Sequence, residues 1–337
     1  MSGRPFLFEL SGEHPTLPRS EVLSCLNAEC ASFAEVAHGP GYVICNIQED
    51  ELDRVVARLA LTHRAGRYLG CCTLNRLDEF ASSLQPPPGS VAVRVKQYQR
   101  MYPEIDSSRI AGKVGTIIKK NAKIDLESPE VEIRILMSDA LHFFVSDRSV
   151  DRRQFDGRKV AFRPFFSPIS LHPRFARALV NLSRIRRGQR LLDPFCGTGG
   201  VLIEAALIGA KVLGSDISED MVLGCMENMS HFGVTWEEIR VADVGEISDM
   251  FGMVDAIVTD PPYGRSATTR KEPPSDLYER ALAAMASALR RNGSLAVVFP
   301  TPCLKKRQDL ETREMHTQRV HRSLTRNYCI FTKRSGP

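Results

Sequence analysis

Over the first seventy residues, short apolar runs alternate with amphipathic stretches. The pattern predicts a strand over 6–10 and a helix over 19–31, with Val22, Leu23 and Leu26 on one face. Residues 35–36 lead through Gly39-Pro40-Gly41 into an apolar run at 42–47, which reads as a hairpin. A helix over 52–61 and a strand over 68–72 complete the order strand-helix-strand-strand-helix-strand, that of a ferredoxin-like unit. Pro86-Pro87-Pro88-Gly89 then punctuates the chain. A strand (91–95), a helix (109–118) and two strands (131–137 and 141–145) are expected after it.

Residues 147–165 are polar and basic and read as an inter-domain linker. Beyond them the period changes. Helices are expected over 173–185, 200–208, 220–232 and 276–290, and strands over 190–192, 211–215, 256–259 and 294–299. Strands alternating with helices imply a doubly wound parallel sheet, an α/β Rossmann-like domain preceded by an α+β module. The expected boundaries are 1–72, 73–147, a linker at 148–164, and 165–337.

Composition adds little. A length of 337 residues favours two or three domains, and 43% hydrophobic with 25% charged residues is ordinary for a globular protein. The net charge of +5 suits a polyanionic partner without demanding one. Neither a secretory leader nor an apolar run of membrane-spanning length is visible. None of the nine cysteines forms a CxxC pair, which argues against a zinc site or a disulfide framework and for a reduced, cytoplasmic protein. Basic residues gather at Arg94, Lys96, Arg100, Arg109, Lys113, Lys119, Lys120 and Lys123, either as a solvated surface or as a phosphate-contacting face.

Two loops carry chemistry. Asp193-Pro194-Phe195-Cys196-Gly197-Thr198-Gly199-Gly200 joins a strand to a helix; its glycines admit a ligand close to the backbone, and the helix N-terminus favours an anion. A dinucleotide fingerprint needs glycine at position 202, where leucine stands. A ligand bearing both a carboxylate and an ammonium fits better. Asp216, ending the next strand, is placed to accept ribose hydroxyls. Asp243 reads either as an acceptor for an adenine amino group or as a helix cap.

The second loop is Asp260-Pro261-Pro262-Tyr263-Gly264, directly after an apolar strand. Two prolines stiffen the strand exit, aiming the Asp260 carboxylate and the Pro261 carbonyl into one cavity. Paired acceptors that grip an amino group's hydrogens favour a pyramidal nitrogen with an available lone pair. Tyr263 offers a face on which a base can stack, a contact contributing about 1–3 kcal/mol.

These residues resemble class I methyltransferases that use S-adenosylmethionine (SAM) on amino nitrogens, and more closely the archaeal tRNA (guanine(10)-N2)-dimethyltransferase family. The resemblance rests on Asp193 to Gly200 with Leu202-Ile203-Glu204-Ala205, on Ser170-Leu171-His172-Pro173 with the helix after it, on Asp260 to Gly264, and on His321 to Asn327. The family's N-terminal half pairs a ferredoxin-like subdomain with a THUMP domain that holds tRNA. Residues 94–123 with Lys123-Ile124-Asp125-Leu126 look like THUMP. Cys71-Cys72 and residues 266–275 match no family feature.

The resemblance implies SAM as cofactor, bound by Ser170, Leu171, His172, Asp193, Phe195, Cys196, Gly197, Thr198, Gly199, Asp216, Ile217, Asp243 and Asp260. His172 reads equally as a helix-entry residue. Catalysis would fall to Asp260, Pro261 and Tyr263, with no metal. Candidate tRNA contacts are Lys96, Arg100, Lys113, Lys119, Lys120, Arg322 and Arg326, the last two alternatively pinning a hairpin. The implied reaction is mono- and then dimethylation of guanosine N2 at tRNA position 10, and the implied partners are tRNA and a small zinc-binding activator subunit. Methylation at another tRNA position, such as 6, or a catalytically silent RNA-binding scaffold are the alternatives.

Overall fold

A computed structural model describes residues 3–167, 170–262, 273–300, 307–322 and 324–334. The chain divides into two compact units, Met1–Asp151 and Arg152–Pro337.

The first unit begins with β1 (Arg4–Leu10), α1 (Leu17–Glu29), β2 (Ala34–Gly39), β3 (Tyr42–Ile47), α2 (Leu52–Arg58) and β4 (Thr62–Cys72). Antiparallel pairing in the order β2-β3-β1-β4 makes this the ferredoxin-like arrangement that the sequence pattern predicts. Phe6, Phe8, Val22, Leu26, Val43 and Val55 meet in its core. Burying each contributes about 1.5–3 kcal/mol. The strand β4 starts six residues before the expected one, because Thr62 to Arg67 shows no apolar alternation; its partners on both sides impose the strand.

After β4 come α3 (Leu77–Ser83), β5 (Ser90–Gln97), α4 (Ser107–Ile118), β6 (Lys123–Ile124), β7 (Val131–Met137), β8 (Leu141–Val145) and β9 (Arg148–Ser149). The first half of β4 pairs with β1 and its second half, from Tyr68, pairs with β8, so one sheet runs through both halves of the unit. Glu9 on β1 and Arg134 on β7 form an ion pair at 2.6 Å with side chains 2% and 13% exposed. Deleting Arg134 strands the buried Glu9 carboxylate, at a cost of about 3–5 kcal/mol, whereas Arg134 without Glu9 keeps Glu132 at 3.4 Å.

The second unit contains α5 (Pro173–Leu182), β10 (Arg190–Asp193), α6 (Gly200–Leu207), β11 (Lys211–Asp216), α7 (Glu219–His231), β12 (Glu238–Val241), α8 (Ile247–Phe251), β13 (Val254–Thr259), α9 (Pro274–Ala288), β14 (Leu289–Phe299), β15 (Leu310–His321) and β16 (Leu324–Lys333). The sheet order is β12-β11-β10-β13-β14-β16-β15, parallel up to β14 and antiparallel in its last pairs. From β10 the chain winds first toward β12 and then returns to β13. The carboxyl ends of β10 and β13 therefore flank a topological switch point, where open α/β sheets bind ligands.

The stretch expected as a linker is packed structure from Arg152 onward. Phe155 is fully buried, Arg158 pairs with Glu204 on α6, and Arg163 is buried. Burial here is achieved through charged side chains, so a polar sequence conceals it. No helix among the described residues is long and apolar enough to cross a membrane.

Candidate active site

Asp193 ends β10 and is 2% exposed. Its Oδ1 accepts from the Phe195 N–H at 3.1 Å and from the Thr259 hydroxyl at 2.6 Å, which ties the ends of β10 and β13 together. Burial, with the charges of Asp216 and Asp260 adding, pushes this carboxyl up to about 7 against the opposing pull of those two hydrogen bonds.

The chain then turns through Gly197 (φ +50°) and Gly199 (φ +81°), left-handed positions that a side chain would strain. The two glycines differ in what surrounds them. A Cβ on Gly199 would sit 2.8 Å from the Cys225 sulfur, whereas one on Gly197 would meet nothing nearer than the Phe195 carbonyl at 4.0 Å. Gly197 thus borders open space, as a ligand cradle requires.

That space is a cleft open to solvent. Of the cofactor residues expected from sequence, Ser170, Leu171, Asp193, Phe195, Cys196, Gly197, Thr198 and Asp260 line it, together with Gly200 and Val201. Asp216 stands just behind. Its two carboxylate oxygens accept from the N–H groups of Gly197 and Ser218, both at 3.0 Å, so it fixes the glycine loop; burial pushes its carboxyl up. Its neighbour Ile217 follows in the same turn, half-buried.

Asp243 and His172 both serve as caps. Asp243 accepts from the Gly245 N–H at 2.8 Å, forms a capping box with Glu246 and pairs with Arg280 on α9. His172 is the N-cap of α5, its Nδ1 accepting from the Arg174 N–H at 3.2 Å.

Asp260 follows β13 directly, with Pro261 buried and Pro262 half-buried. Tyr278 on α9 donates its hydroxyl to the Pro262 carbonyl at 3.0 Å, and its ring packs against Phe299 at 5.2 Å. Burial and the Asp260 charge push this phenol up to about 12, keeping it a donor at neutral pH. Tyr263, Gly264 and 265–272 lie outside the described residues. Sequence reading missed Tyr278, which sits within an ordinary amphipathic helix, and Arg163, which sits within a basic stretch.

The candidate RNA contacts occur in both units. In the first, Lys96, Arg100, Lys113, Lys119 and Lys120 are exposed, and Lys113 pairs with Asp78 at 2.6 Å. In the second, Arg322 is exposed at the tip of the β15–β16 hairpin and Arg326 is half-buried on β16. Phe299, the last residue of β14, lies opposite Asn327, yet the hairpin runs on to the pair His321–Leu324. It therefore overhangs the end of β14 by three residues, about 10 Å. No acidic residue follows Glu314 in the chain. Asn327 is fully buried and donates to the Phe299 carbonyl at 3.2 Å, anchoring this arm.

Residues 161–328 match the family described as RMKL-like, methyltransferase domain. The chain is 37% identical to the tRNA (guanine(10)-N2)-dimethyltransferase of Methanothermobacter thermautotrophicus, over 94% of this chain and 96% of that protein. It is 29% identical to the tRNA (guanine(6)-N2)-methyltransferase of Thermus thermophilus, over 69% and 70%. The crystal structure of TrmN from Thermus thermophilus superposes with a TM-score of 0.56 at 23% identity, covering 98% of this chain and 100% of that one. The continuous match to the first relative joins the glycine loop and the Asp-Pro-Pro strand exit to the module before them, and this chain belongs to the tRNA (guanine(10)-N2)-dimethyltransferase family.

Proposed function

We propose that this protein transfers methyl groups from SAM to the exocyclic N2 of guanosine 10 in tRNA, first one and then a second. The observation that carries this reading is the placement of Asp260 at the exit of β13, in the same cleft as the glycine loop after β10. SAM, when bound, supplies a methyl group made electrophilic by its sulfonium.

The residues present fit that cofactor. The opening beside Gly197 admits it, the buried Asp193 carboxylate suits its ammonium, and Asp216 retains lone pairs for its ribose hydroxyls. Asp243 already holds a backbone cap and an arginine, so we assign it a smaller share of affinity at the adenine end.

The amino group of guanine is a poor nucleophile because its lone pair is delocalised into the ring. In this reading the Asp260 carboxylate and the Pro261 carbonyl accept its two hydrogens and turn the lone pair toward the methyl. Tyr278 holds the Pro262 carbonyl, which keeps the loop from swinging. Tyr263 provides the stacking face, and the target base leaves its stack to reach it. Transfer would break the sulfonium S–CH3 bond and leave a neutral thioether, and Asp260 or water would take the N–H proton that the methylated nitrogen gives up.

Exposed Lys96, Arg100, Lys113, Lys119 and Lys120 and the hairpin residues Arg322 and Arg326 hold the tRNA backbone, and a tRNA substrate supports our assignment of the enzyme to the cytoplasm. Position 10 is favoured over position 6 by the longer and closer match to the position-10 relative. The reading is tested by incubating unmodified tRNA with labelled SAM and analysing nuclease fragments by mass spectrometry. Label in N2-methyl- and N2,N2-dimethylguanosine of the fragment containing position 10 is expected; label confined to another position would refute it. Adding a small zinc-binding subunit to the same assay tests the remaining partner.

A further inference from the structure

Arg163 is 6% exposed, and burial pulls its guanidinium below the usual range. It donates to the Arg158 carbonyl at 3.2 Å, to the Thr198 hydroxyl at 3.0 Å and to the Ser170 hydroxyl at 3.4 Å. All three acceptors are neutral. The nearby carboxylate, Glu204, gives its oxygens to Arg158 at 2.6 Å and to Arg177 at 2.8 Å. Among the described residues Arg163 therefore has no directly paired carboxylate; it shares the field of Glu204 with Arg158 and Arg177, one negative charge against three largely buried cations, and such an excess is costly.

Its position suggests what supplies the missing charge. Thr198 and Ser170, which accept from Arg163, line the cleft. A Cβ on Gly200, the first residue of α6, would lie 3.3 Å from the guanidinium, so Arg163 stands at a helix N-terminus that itself favours an anion. The Thr198 oxygen accepts from Arg163, which leaves its proton free to point into the cleft. Asp193 supplies a buried acid on the same cleft.

We propose that Arg163, acting through Thr198, is the positioning residue that reads the α-carboxylate of the cofactor's amino-acid tail, so that the cleft recognises a zwitterion with Arg163 at its anionic end and Asp193 at its ammonium end. This rests on the SAM reading above. The guanidinium polarises the Thr198 hydroxyl and balances the incoming charge from behind the cleft wall, while the Ser170 hydroxyl donates to the Leu171 carbonyl at 3.4 Å.

The test is calorimetry on the full-length protein without tRNA, titrated with SAM and with decarboxylated SAM, which lacks only the carboxylate. The unaltered protein is expected to prefer SAM by roughly 30-fold, the scale of hydrogen bonding to a charged group. Arg163→Gln is expected to lose most of that preference by weakening SAM while sparing the decarboxylated analogue. Arg163→Lys, which keeps the charge, should restore part of the preference. Equal weakening of both ligands by Arg163→Gln would make the residue a structural strut and overturn the proposal, as would an unchanged preference. Failure of the unaltered protein to bind SAM at all would instead overturn the cofactor reading, a result distinguishable from either.

Discussion

The carboxylates around the glycine loop, Asp193 buried and Asp216 half-buried, are hydrogen-bonded to backbone N–H groups, whereas the lysines on and just after α4 stand in solvent. Asp193 and Asp216 each hold loop backbone in place, so the cleft is organised before a ligand arrives. Lys113, Lys119 and Lys120 are exposed, and an exposed ion pair such as Lys113 with Asp78 contributes about 0.2–1 kcal/mol. The difference suits the proposed ligands. A small cofactor must be gripped atom by atom, while a folded RNA is held by many screened, mobile charges.

The largest effect that would break this comparison lies at Asp260. Asp260→Ala is expected to lower single-turnover methyl transfer by about 10²–10⁴-fold while changing SAM affinity far less. Asp260→Asn sharpens the assignment. Measurable activity would show that orienting the amine is the main role, and a rate near the alanine level would show that the proton must also be accepted.

Asp216→Ala should come next, weakening SAM binding by about 1.5–3 kcal/mol in calorimetry, since it loses both the ribose contact and the tie to Gly197. Unchanged affinity would remove Asp216 from the site.

Asp193 makes the cleft sensitive to pH. Its carboxyl is raised to about 7 in the ligand-free protein, so below that pH it holds a proton that the cofactor's ammonium must displace. Affinity for SAM should therefore fall as pH drops through 7, by up to about tenfold per unit. Asp193→Asn should bind more weakly above pH 7 and show a flatter profile.

The smallest effect per residue belongs to the basic face. Replacing Lys113, Lys119 and Lys120 together with alanine should leave SAM binding intact. The logarithmic salt dependence of tRNA affinity should flatten by about 0.7–0.9 for each phosphate that is no longer neutralised. An unaltered salt slope would place the RNA elsewhere.

The sequence made the cleft more legible than its support. Asp193, Gly197 and Asp260 sit in short contiguous motifs whose residue types have local reasons, and all three line the cleft. The alternation from β10 through α7 and from β13 to β14 was equally plain, because buried parallel strands are short apolar runs, whereas β12, α8 and the antiparallel pair β15 and β16 were not delimited. Arg163 and Tyr278 were not readable, since each acts on the cleft through a partner distant in the chain: Arg163 reaches Thr198, and Tyr278 reaches Pro262. The early start of β4 was hidden for a related reason. Its polar first half becomes a strand only because β1 pairs with it, and pairing partners leave no mark in the strand's own sequence.

In the proposed reaction the Asp260 cleft methylates the exocyclic amino group of one guanosine. A tRNA carrying inosine at position 10 differs from the natural substrate there by the absence of that amino group alone. This tRNA is expected to bind with unchanged affinity and to accept no methyl from labelled SAM, while the guanosine form is methylated at N2. Methyl transfer to the inosine tRNA at the rate of the guanosine form would contradict the proposed reaction.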